Sequence, residues 1–322
     1  MLAGRVIASA TRPCRSYTTA RKLRPVPILP DASIDTFRKH AFEPAIPALL
    51  PRGTFNTIPA CEKWFVHAKD HHNPLSLNIS YLSNYKSAIV PVEITNNDHF
   101  ARTEQPLYFF LECVSSQSST YRSQPSRYFN AYVPGARAIK RTKRSNDFFS
   151  ASTLTTPTAK VYLAQASLTD LPKGMRDDLP TPELVLKAGK GDVYDSSIWL
   201  GQAPTYTPLH RDPNPNLFAQ LAGRKLVRLY QPKVGQGIFA AVQERIGGGA
   251  NAMMRGEEMM QGAEKKALEE EVWGEVENTT VAGPCWEAEL KSGDGLFIPK
   301  GWWHSIKGVG EGMTGSVNWW FR

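Results

Sequence analysis

Residues 291–307 read KSGDGLFIPKGWWHSIK, a segment that predicts one turn followed by two strands. The Gly293-Asp294 pair is typical of a tight turn, and the apolar run 296–299 that follows it predicts a buried strand. The set Gly301-Trp302-Trp303-His304 follows this strand, and His304 is flanked by bulky apolar residues. This position predicts that the His304 side chain enters a dry interior.

Short strands and turns continue over residues 160–322. The predicted strands are Lys160–Gln165, Val193–Leu200, His210 with its flanks, Lys225–Tyr230, Trp286–Leu290, Leu296–Pro299, Trp303–Lys307 and Gly315–Phe321. Upstream, residues 34–42 predict a short helix, and the runs 88–94 and 107–111 are β-like. Many short strands with few helices favour a mainly β fold in which two sheets meet as a jelly roll, with flanking helices.

Two segments depart from the strand pattern. Residues 235–277 contain nine Glu against four Lys or Arg, and Leu268, Val272 and Val276 recur at a spacing of four, which predicts a helical insertion. Residues 115–145 are rich in Ser, Lys and Arg and contain no acid, which indicates a basic loop. We therefore expect one domain over residues 31–322, with this loop and this insertion attached to it.

The net charge of +8 is concentrated at the N-terminus. Residues 1–30 contain six Lys or Arg and no acid, so that the rest of the chain has a charge of only +2. A leader rich in Arg, Ser, Thr and Ala is typical of a mitochondrial transit peptide, and a disordered basic tail is the alternative. We expect a location in the mitochondrial matrix, with a cytoplasmic or nuclear location as the alternative. No run of eighteen apolar residues is present, so no membrane-spanning helix is expected.

A second short motif, Thr207-Pro208-Leu209-His210-Arg211-Asp212, contains candidate metal ligands. Strand side chains alternate faces, so His210 and Asp212 point the same way, and His304 must reach them from a distant strand. Two histidines and one carboxylate can bind non-haem Fe(II) and leave positions open for other ligands. An isolated His-x-Asp is more often structural, but the strand-end position and the neighbouring prolines favour the metal site.

Lys225 begins the strand 225–230 and shares a face with Val227 and Leu229. A lysine on an inward, apolar face needs an anion, which a ligand carboxylate would supply. In the opposite register Lys225 is solvated and Arg228 points inward. The spacing alone does not decide between the two registers.

These blocks together resemble the JmjC (cupin-like) 2-oxoglutarate oxygenases. The resemblance rests on residues 207–212, 216–220 and 223–225, on residues 291–304 with 316–320, and on the upstream strand 162–165. It covers about residues 160–322, and more loosely the chain from Ile34. The chain is most similar to the small JmjC hydroxylases, which include the asparaginyl hydroxylase that acts on hypoxia-inducible factor. Asp212 fits this branch better than the histone demethylases, which usually have Glu in its place.

The resemblance implies a role for each matching residue. His210, Asp212 and His304 match the iron ligands, and Lys225 matches the lysine that pairs with the distal carboxylate of 2-oxoglutarate. The other matches are hydroxyl donors to that carboxylate (Thr207, Tyr162), amides near the cosubstrate and metal (Asn216, Asn318), an aromatic wall (Trp320) and a pocket-facing polar residue (Gln165). Tyr162 and Trp320 could instead be core aromatics.

The implied reaction uses Fe(II), 2-oxoglutarate and O₂, releases succinate and CO₂, and hydroxylates a C–H bond. A protein side chain is the expected substrate. The alternatives are hydroxylation of a tRNA base, which the basic loop could support through phosphate contacts, and a non-catalytic cupin-like binding module. Several members of the family dimerise through helices after the last core strand. Such helices are not evident in this chain, so its oligomeric state stays open.

Overall fold

A computed structural model describes residues 23–66, 75–96, 99–118, 160–248, 260–274 and 283–322. Within them the strands are β1 (Leu23–Pro25), β2 (Ala48–Leu49), β3 (Phe65–Val66), β4 (Ser76–Leu77), β5 (Ile89–Asn96), β6 (His99–Pro106), β7 (Lys160–Ser167), β8 (Val193–Gln202), β9 (Thr205–Arg211), β10 (Asn216–Ala222), β11 (Arg224–Tyr230), β12 (Cys285–Leu290), β13 (Gly295–Ile298), β14 (Trp303–Val309) and β15 (Met313–Phe321). The α-helices are α1 (Ile34–Phe37), α2 (Pro59–Lys63), α3 (Ile79–Leu82), α4 (Leu107–Ser118), α5 (Lys173–Asp177), α6 (Glu183–Lys187), α7 (Pro232–Arg245) and α8 (Gly262–Trp273). A π-helical turn (Arg38–Phe42) continues α1, and together they cover the helix predicted over residues 34–42.

Most strands belong to two sheets that wind around each other. One sheet has the order β2-β13-β10-β15-β8-β7-β5-β6, and the other has the order β1-β12-β11-β14-β9. Along the chain, β8 to β11 alternate between the two sheets, and β12 to β15 do so again. This alternation produces a double-stranded β-helix, and the predicted mainly β jelly roll is confirmed.

The space between the two sheets is filled by apolar side chains from both of them. Phe218 and Leu296 from the eight-stranded sheet pack with Val227 and Leu290 from the five-stranded sheet. The cluster occupies one part of the interlayer space, while polar side chains from the same strands line a cavity in another part. The roll therefore combines a dry core with a polar interior.

The predicted insertion covers the outer face of the five-stranded sheet. Helices α7 and α8 pack against each other and against this face, and Leu268 and Val272 are fully buried as their fourfold spacing predicts. On the sheet side they meet Leu209, Tyr230 and Trp303. Residue 276, the third position of that pattern, lies outside the described residues.

Strand β10 is absent from the strands predicted above. All seven of its residues are buried, because one face looks into the roll and the other lies under helix α2 and its neighbours. A strand covered on both faces shows no alternation of polar and apolar residues. The usual sequence signal of a strand was therefore missing.

The prediction of a β-like run over residues 107–111 is wrong, because these residues begin helix α4. Leu107, Phe110, Leu111 and Val114 are buried at helical spacing, and they pack into the core under the eight-stranded sheet. The strand lies immediately before them, in β6. Five consecutive apolar residues are too few to distinguish a helix from a strand by period.

The N-terminal boundary also shifts. The sequence places residues 23–30 in the basic leader, but β1 pairs in parallel with β12, and Val26 and Leu29 are buried. These residues therefore belong to the described fold. The basic loop 115–145 lies outside the described residues except for its first four, which end helix α4. None of the helices in the described part of the chain is long and apolar enough to cross a membrane.

Candidate metal and cosubstrate site

Three predicted metal ligands meet at one end of the cavity. His210 in β9 lies directly across from His304 in the neighbouring β14, and the two ring centroids are 4.2 Å apart. Asp212 follows the end of β9, with Oδ1 4.0 Å from His210 Nε2 and Oδ2 3.6 Å from His304 Nε2. One ligand atom from each residue lies within 4.8 Å of the other two, which is a spacing that a single ion can bridge.

The hydrogen bonds of both histidines orient them as metal ligands. His210 Nδ1 lies 2.8 Å from the Pro208 carbonyl, and His304 Nδ1 lies 3.2 Å from the Trp302 carbonyl. A carbonyl can only accept, so each Nδ1 is the donor and each Nε2 presents a lone pair in the neutral ring. Burial, reinforced by the neighbouring His210, lowers the pKa of His304 to about 4, so this ring is neutral at pH 7. Two lone pairs facing a carboxylate repel one another unless a cation lies between them, and the site fits a divalent metal.

A chain of amides extends from the carboxylate into the cavity. Asn216 Nδ2 donates to Asp212 Oδ2 (2.9 Å), and Asn318 Nδ2 donates to Asn216 Oδ1 (3.1 Å). Both amides come from adjacent strands, β10 and β15, of the eight-stranded sheet. Asn318 Oδ1 is buried and has no hydrogen-bond partner among the described residues. Such an atom is costly unless a bound group or water satisfies it.

Lys225 points into the cavity, which decides between the two registers. It is only 2% exposed, and its Nζ donates to Ser316 Oγ (2.7 Å) and lies 5.2 Å from the Phe218 ring centre. Arg228 takes the outer face and pairs with Glu287 at 2.8 Å. In the described chain no carboxylate pairs with Lys225, and burial lowers its pKa to about 7. An anionic ligand would restore its charge.

The structure brings nine of the ten predicted site residues to this one cavity. These are Tyr162, Thr207, His210, Asp212, Asn216, Lys225, His304, Asn318 and Trp320. Tyr162 reaches it because its cross-strand partner is Gly201, where a Cβ would lie 2.0 Å from the Tyr162 ring. Burial raises the pKa of the Tyr162 phenol further above its usual range, so the hydroxyl stays a proton donor at neutral pH.

Gln165 does not join them, and its predicted position facing the pocket is wrong. The residue is exposed, at an irregularity in the pairing of β7 with β8, and its φ of +54° is unusual for a residue with a side chain. A bulge changes which face each following residue presents. Gln165 lies three residues after Tyr162, within this irregularity, and its side chain points to solvent.

Five further side chains line the cavity and were not predicted from the sequence. They are Trp199, Thr205, Phe218, Ile306 and Ser316. Ser316 could have been found, because it precedes Asn318 and Trp320 at a spacing of two on the same strand. Phe218 bears the same relation to Asn216. Trp199 had no comparable signal, since its strand carries no other residue of the motif.

The lining of the cavity combines two chemistries. His210, Asp212 and His304 offer three ligand atoms for a cation, and Lys225 with Ser316 offers an amine and a hydroxyl for an anion. The Thr207 hydroxyl lines the same cavity. A small dianion that binds a metal through one end and a lysine through the other is complementary to both.

Comparisons with known proteins agree with this geometry. A family model described as "Cupin-like domain" matches residues 36–322. The chain is 25% identical over 309 residues to "Lysine-specific demethylase JMJ30" of Arabidopsis thaliana, which covers 96% of this chain and 56% of that protein. It is 24% identical over 303 residues to "Jumonji C domain-containing protein 5" of Drosophila melanogaster, with 92% and 60% covered.

A third relative is "Lysine-specific demethylase 8" of Danio rerio, which is 27% identical over 162 residues, with 50% of this chain and 36% of that protein covered. The chain spans roughly half the length of the curated relatives that it matches over most of its own residues. The relatives are JmjC proteins, and the resemblance read from residues 207–225 and 291–320 is confirmed. The chain belongs to the cupin-like domain family, in its JmjC group.

Proposed function

We propose that this chain is an Fe(II)- and 2-oxoglutarate-dependent dioxygenase that hydroxylates a protein side chain. The observation on which the proposal rests is that one cavity is lined by a complete His-Asp-His ligand set and by a buried lysine that has no carboxylate partner among the described residues. A structural lysine is rarely buried without a carboxylate partner, and two structural histidines rarely turn their Nε2 atoms toward the same carboxylate. The JmjC relatives support the same chemistry.

In this proposal each residue has a defined task. His210, Asp212 and His304 hold the iron, while the Asn216 amide fixes the orientation of the Asp212 carboxylate through its 2.9 Å hydrogen bond. Lys225, with Thr207 and Tyr162, holds the distal carboxylate of 2-oxoglutarate, and Trp320 forms part of the wall. Bound Fe(II) supplies the activation of O₂ that is coupled to oxidative decarboxylation of the cosubstrate.

The first test measures 2-oxoglutarate turnover. Purified protein with Fe(II), ascorbate and O₂ should convert 2-oxoglutarate to succinate slowly without substrate, and faster when the substrate is added. A His210→Ala variant is the matched control. Succinate formation equal to that of the control would leave the non-catalytic binding module as the better description.

A second candidate reaction is removal of a methyl group from lysine. Two of the relatives quoted above have names that describe lysine-specific demethylases. Hydroxylation adds about 16 Da to a peptide and demethylation removes about 14 Da, so mass spectrometry of substrates captured from deletion and wild-type cells distinguishes them. Nucleosides from the same cells test hydroxylation of an RNA base, and a change confined to RNA would contradict a protein substrate.

We also propose import into the mitochondrial matrix, which the basic, acid-free N-terminus supports. Because residues 23–30 belong to the fold, the informative fusions place residues 1–22 and residues 1–30 before a fluorescent protein. Both fusions should enter mitochondria. Cytosolic fluorescence from both would contradict import.

A further inference from the structure

Strand β9 contains one extra residue between two side chains that enter the cavity. Thr207 pairs with Ile306, and His210 pairs with His304, so three residue steps on β9 face two on β14. This is a β-bulge, and it allows Thr207 and His210 to point inward although their spacing is odd. The bulge therefore determines the relative positions of a metal ligand and a proposed cosubstrate ligand.

Side chains, rather than ladder bonds alone, hold this bulge. Pro208 lies within it and has no N–H to donate, and its carbonyl accepts from His210 Nδ1. The preceding carbonyl, that of Thr207, accepts from Ser305 Oγ at 2.8 Å. Ser305 is fully buried and is the residue next to His304.

The helical insertion supplies the next link. Trp273, the last residue of α8, donates from Nε1 to Ser305 Oγ at 2.8 Å. The indole is itself fixed by two cations, with the Arg228 guanidinium 4.6 Å and the Lys307 ammonium 5.2 Å from its ring centre. Arg228 also donates to the Val272 carbonyl (2.6 Å), which ties the end of α8 to β11.

We propose that Trp273 and Ser305 are positioning residues, which place His210 and Thr207 by fixing the β9 bulge from outside the sheet. The insertion then has a task in the site although no insertion residue lines the cavity in the described part of the chain. The Ser305 hydroxyl accepts from Trp273 and donates to the Thr207 carbonyl, so Trp273 orients the group that holds the carbonyl. The inference rests on the proposed function, because it assigns the bulge to the metal and cosubstrate site.

The test is Co(II) binding in the absence of turnover, followed by calorimetry and by the visible absorption of the bound ion. Loss of a group that orients a ligand typically weakens metal binding roughly 10- to 100-fold. We expect about 10-fold weaker binding for Ser305→Ala and a smaller, several-fold loss for Trp273→Phe, which keeps the ring but removes the donor. The double variant should be no weaker than Ser305→Ala, because the two bonds act in series. The Co(II) absorption spectrum should change in all three.

The matched control is Val242→Ala in α7, which loosens the packing of the same insertion without touching the Trp273–Ser305 link. It should lower the Tm and leave Co(II) affinity unchanged. A loss of affinity in the control equal to that of Trp273→Phe at the same change in Tm would overturn the positioning role. Wild-type affinity and spectrum in Ser305→Ala and Trp273→Phe would overturn this inference alone. A wild-type protein that binds no Co(II) would overturn the proposed function as well.

Discussion

The two faces of the five-stranded sheet are built by the same strands and differ in how their polar groups are satisfied. On the inner face, Lys225 has no carboxylate partner among the described residues, and His304 turns its Nε2 toward Asp212 at 3.6 Å. On the outer face, Arg228 pairs with Glu287, and Lys307 pairs with Glu269 at 2.6 Å. Because strand side chains alternate, one strand can hold a reactive group inward and a stabilising contact outward. We therefore expect inner-face substitutions to change binding and activity. Outer-face substitutions away from the Trp273–Ser305 link should change stability.

The largest effect on the inner face is expected for His210→Ala. Succinate formation should fall by more than the roughly 100-fold that marks the loss of an outer-shell partner, because a metal ligand itself is lost. The Tm of the metal-free protein should not fall. Without a metal, the His210 Nε2 lone pair and the Asp212 carboxylate repel each other, and the substitution removes this repulsion. The exposed His40→Ala is the control for loss of an imidazole and should retain full activity.

Lys225→Met separates binding from stability at a single position. Affinity for 2-oxoglutarate should fall on the order of 100-fold, because the partner of a buried carboxylate is lost. The Tm of the ligand-free protein should rise, because a buried cation without an anion is destabilising. Calorimetry and thermal melts, with the exposed Lys300→Met as control, check both changes. A fall in Tm for Lys225→Met would contradict the description of Lys225 as unpaired.

Leu268→Ala is the corresponding outer-face change. Leu268 is fully buried between α7, α8 and the sheet, so its truncation should cost about 2–5 kcal/mol of unfolding free energy. The affinity of the folded fraction for Co(II) and 2-oxoglutarate should stay close to wild type below the Tm. Urea unfolding measures the first quantity and calorimetry the second. Loss of affinity without loss of stability would contradict the expectation that this outer-face residue acts on stability alone.

The Lys225 charge also predicts a pH dependence. Burial lowers its pKa from 10.5 to about 7, so between these values the unfolded chain binds more protons than the folded chain. The contribution of Lys225 to the unfolding free energy therefore rises with pH across that window. Below pH 7 the folded protein carries the full cost of a buried, charged lysine. The stability advantage of Lys225→Met should be largest near pH 6 and shrink by about 2 kcal/mol between pH 7 and pH 9. Paired urea melts at these pH values check it, and a constant difference would contradict it.

The smallest effect is expected at Gln165, which lies outside the cavity. Its φ of +54° costs about 1 kcal/mol for a residue with a Cβ, and glycine would relieve this cost at a partly offsetting loss of chain entropy. Gln165→Gly should therefore raise the unfolding free energy by less than about 1 kcal/mol. Affinity for 2-oxoglutarate should not change, and a clear loss would restore a binding role for this residue.

The sequence alone determined the ligand types and most strands. The spacing of His210 and Asp212, the strand that delivers His304 and the alternation along most core strands can all be read from local residues. Each of these features depends on a strand with one face inward and one face outward, for which the period of two is visible in the chain. The helical insertion could also be predicted from the sequence. One stripe of α8 is buried and the opposite stripe is not, so its apolar residues recur at helical spacing.

Tertiary structure decided the features that depend on partners. Strand β10 is covered on both faces and shows no alternation, and the apolar run 107–111 that begins α4 is too short to show a period. Packing therefore assigned both. The inward register of Lys225 followed from its neighbours β12 and β14, since its spacing permitted either face. The bulge in β9 brings both Thr207 and His210 inward, and the irregularity in β7 at Gln165 likewise changes the alternation by one residue. A bulge is defined by the pairing of two strands. The sequence of one strand alone does not show where it has an extra residue relative to its partner.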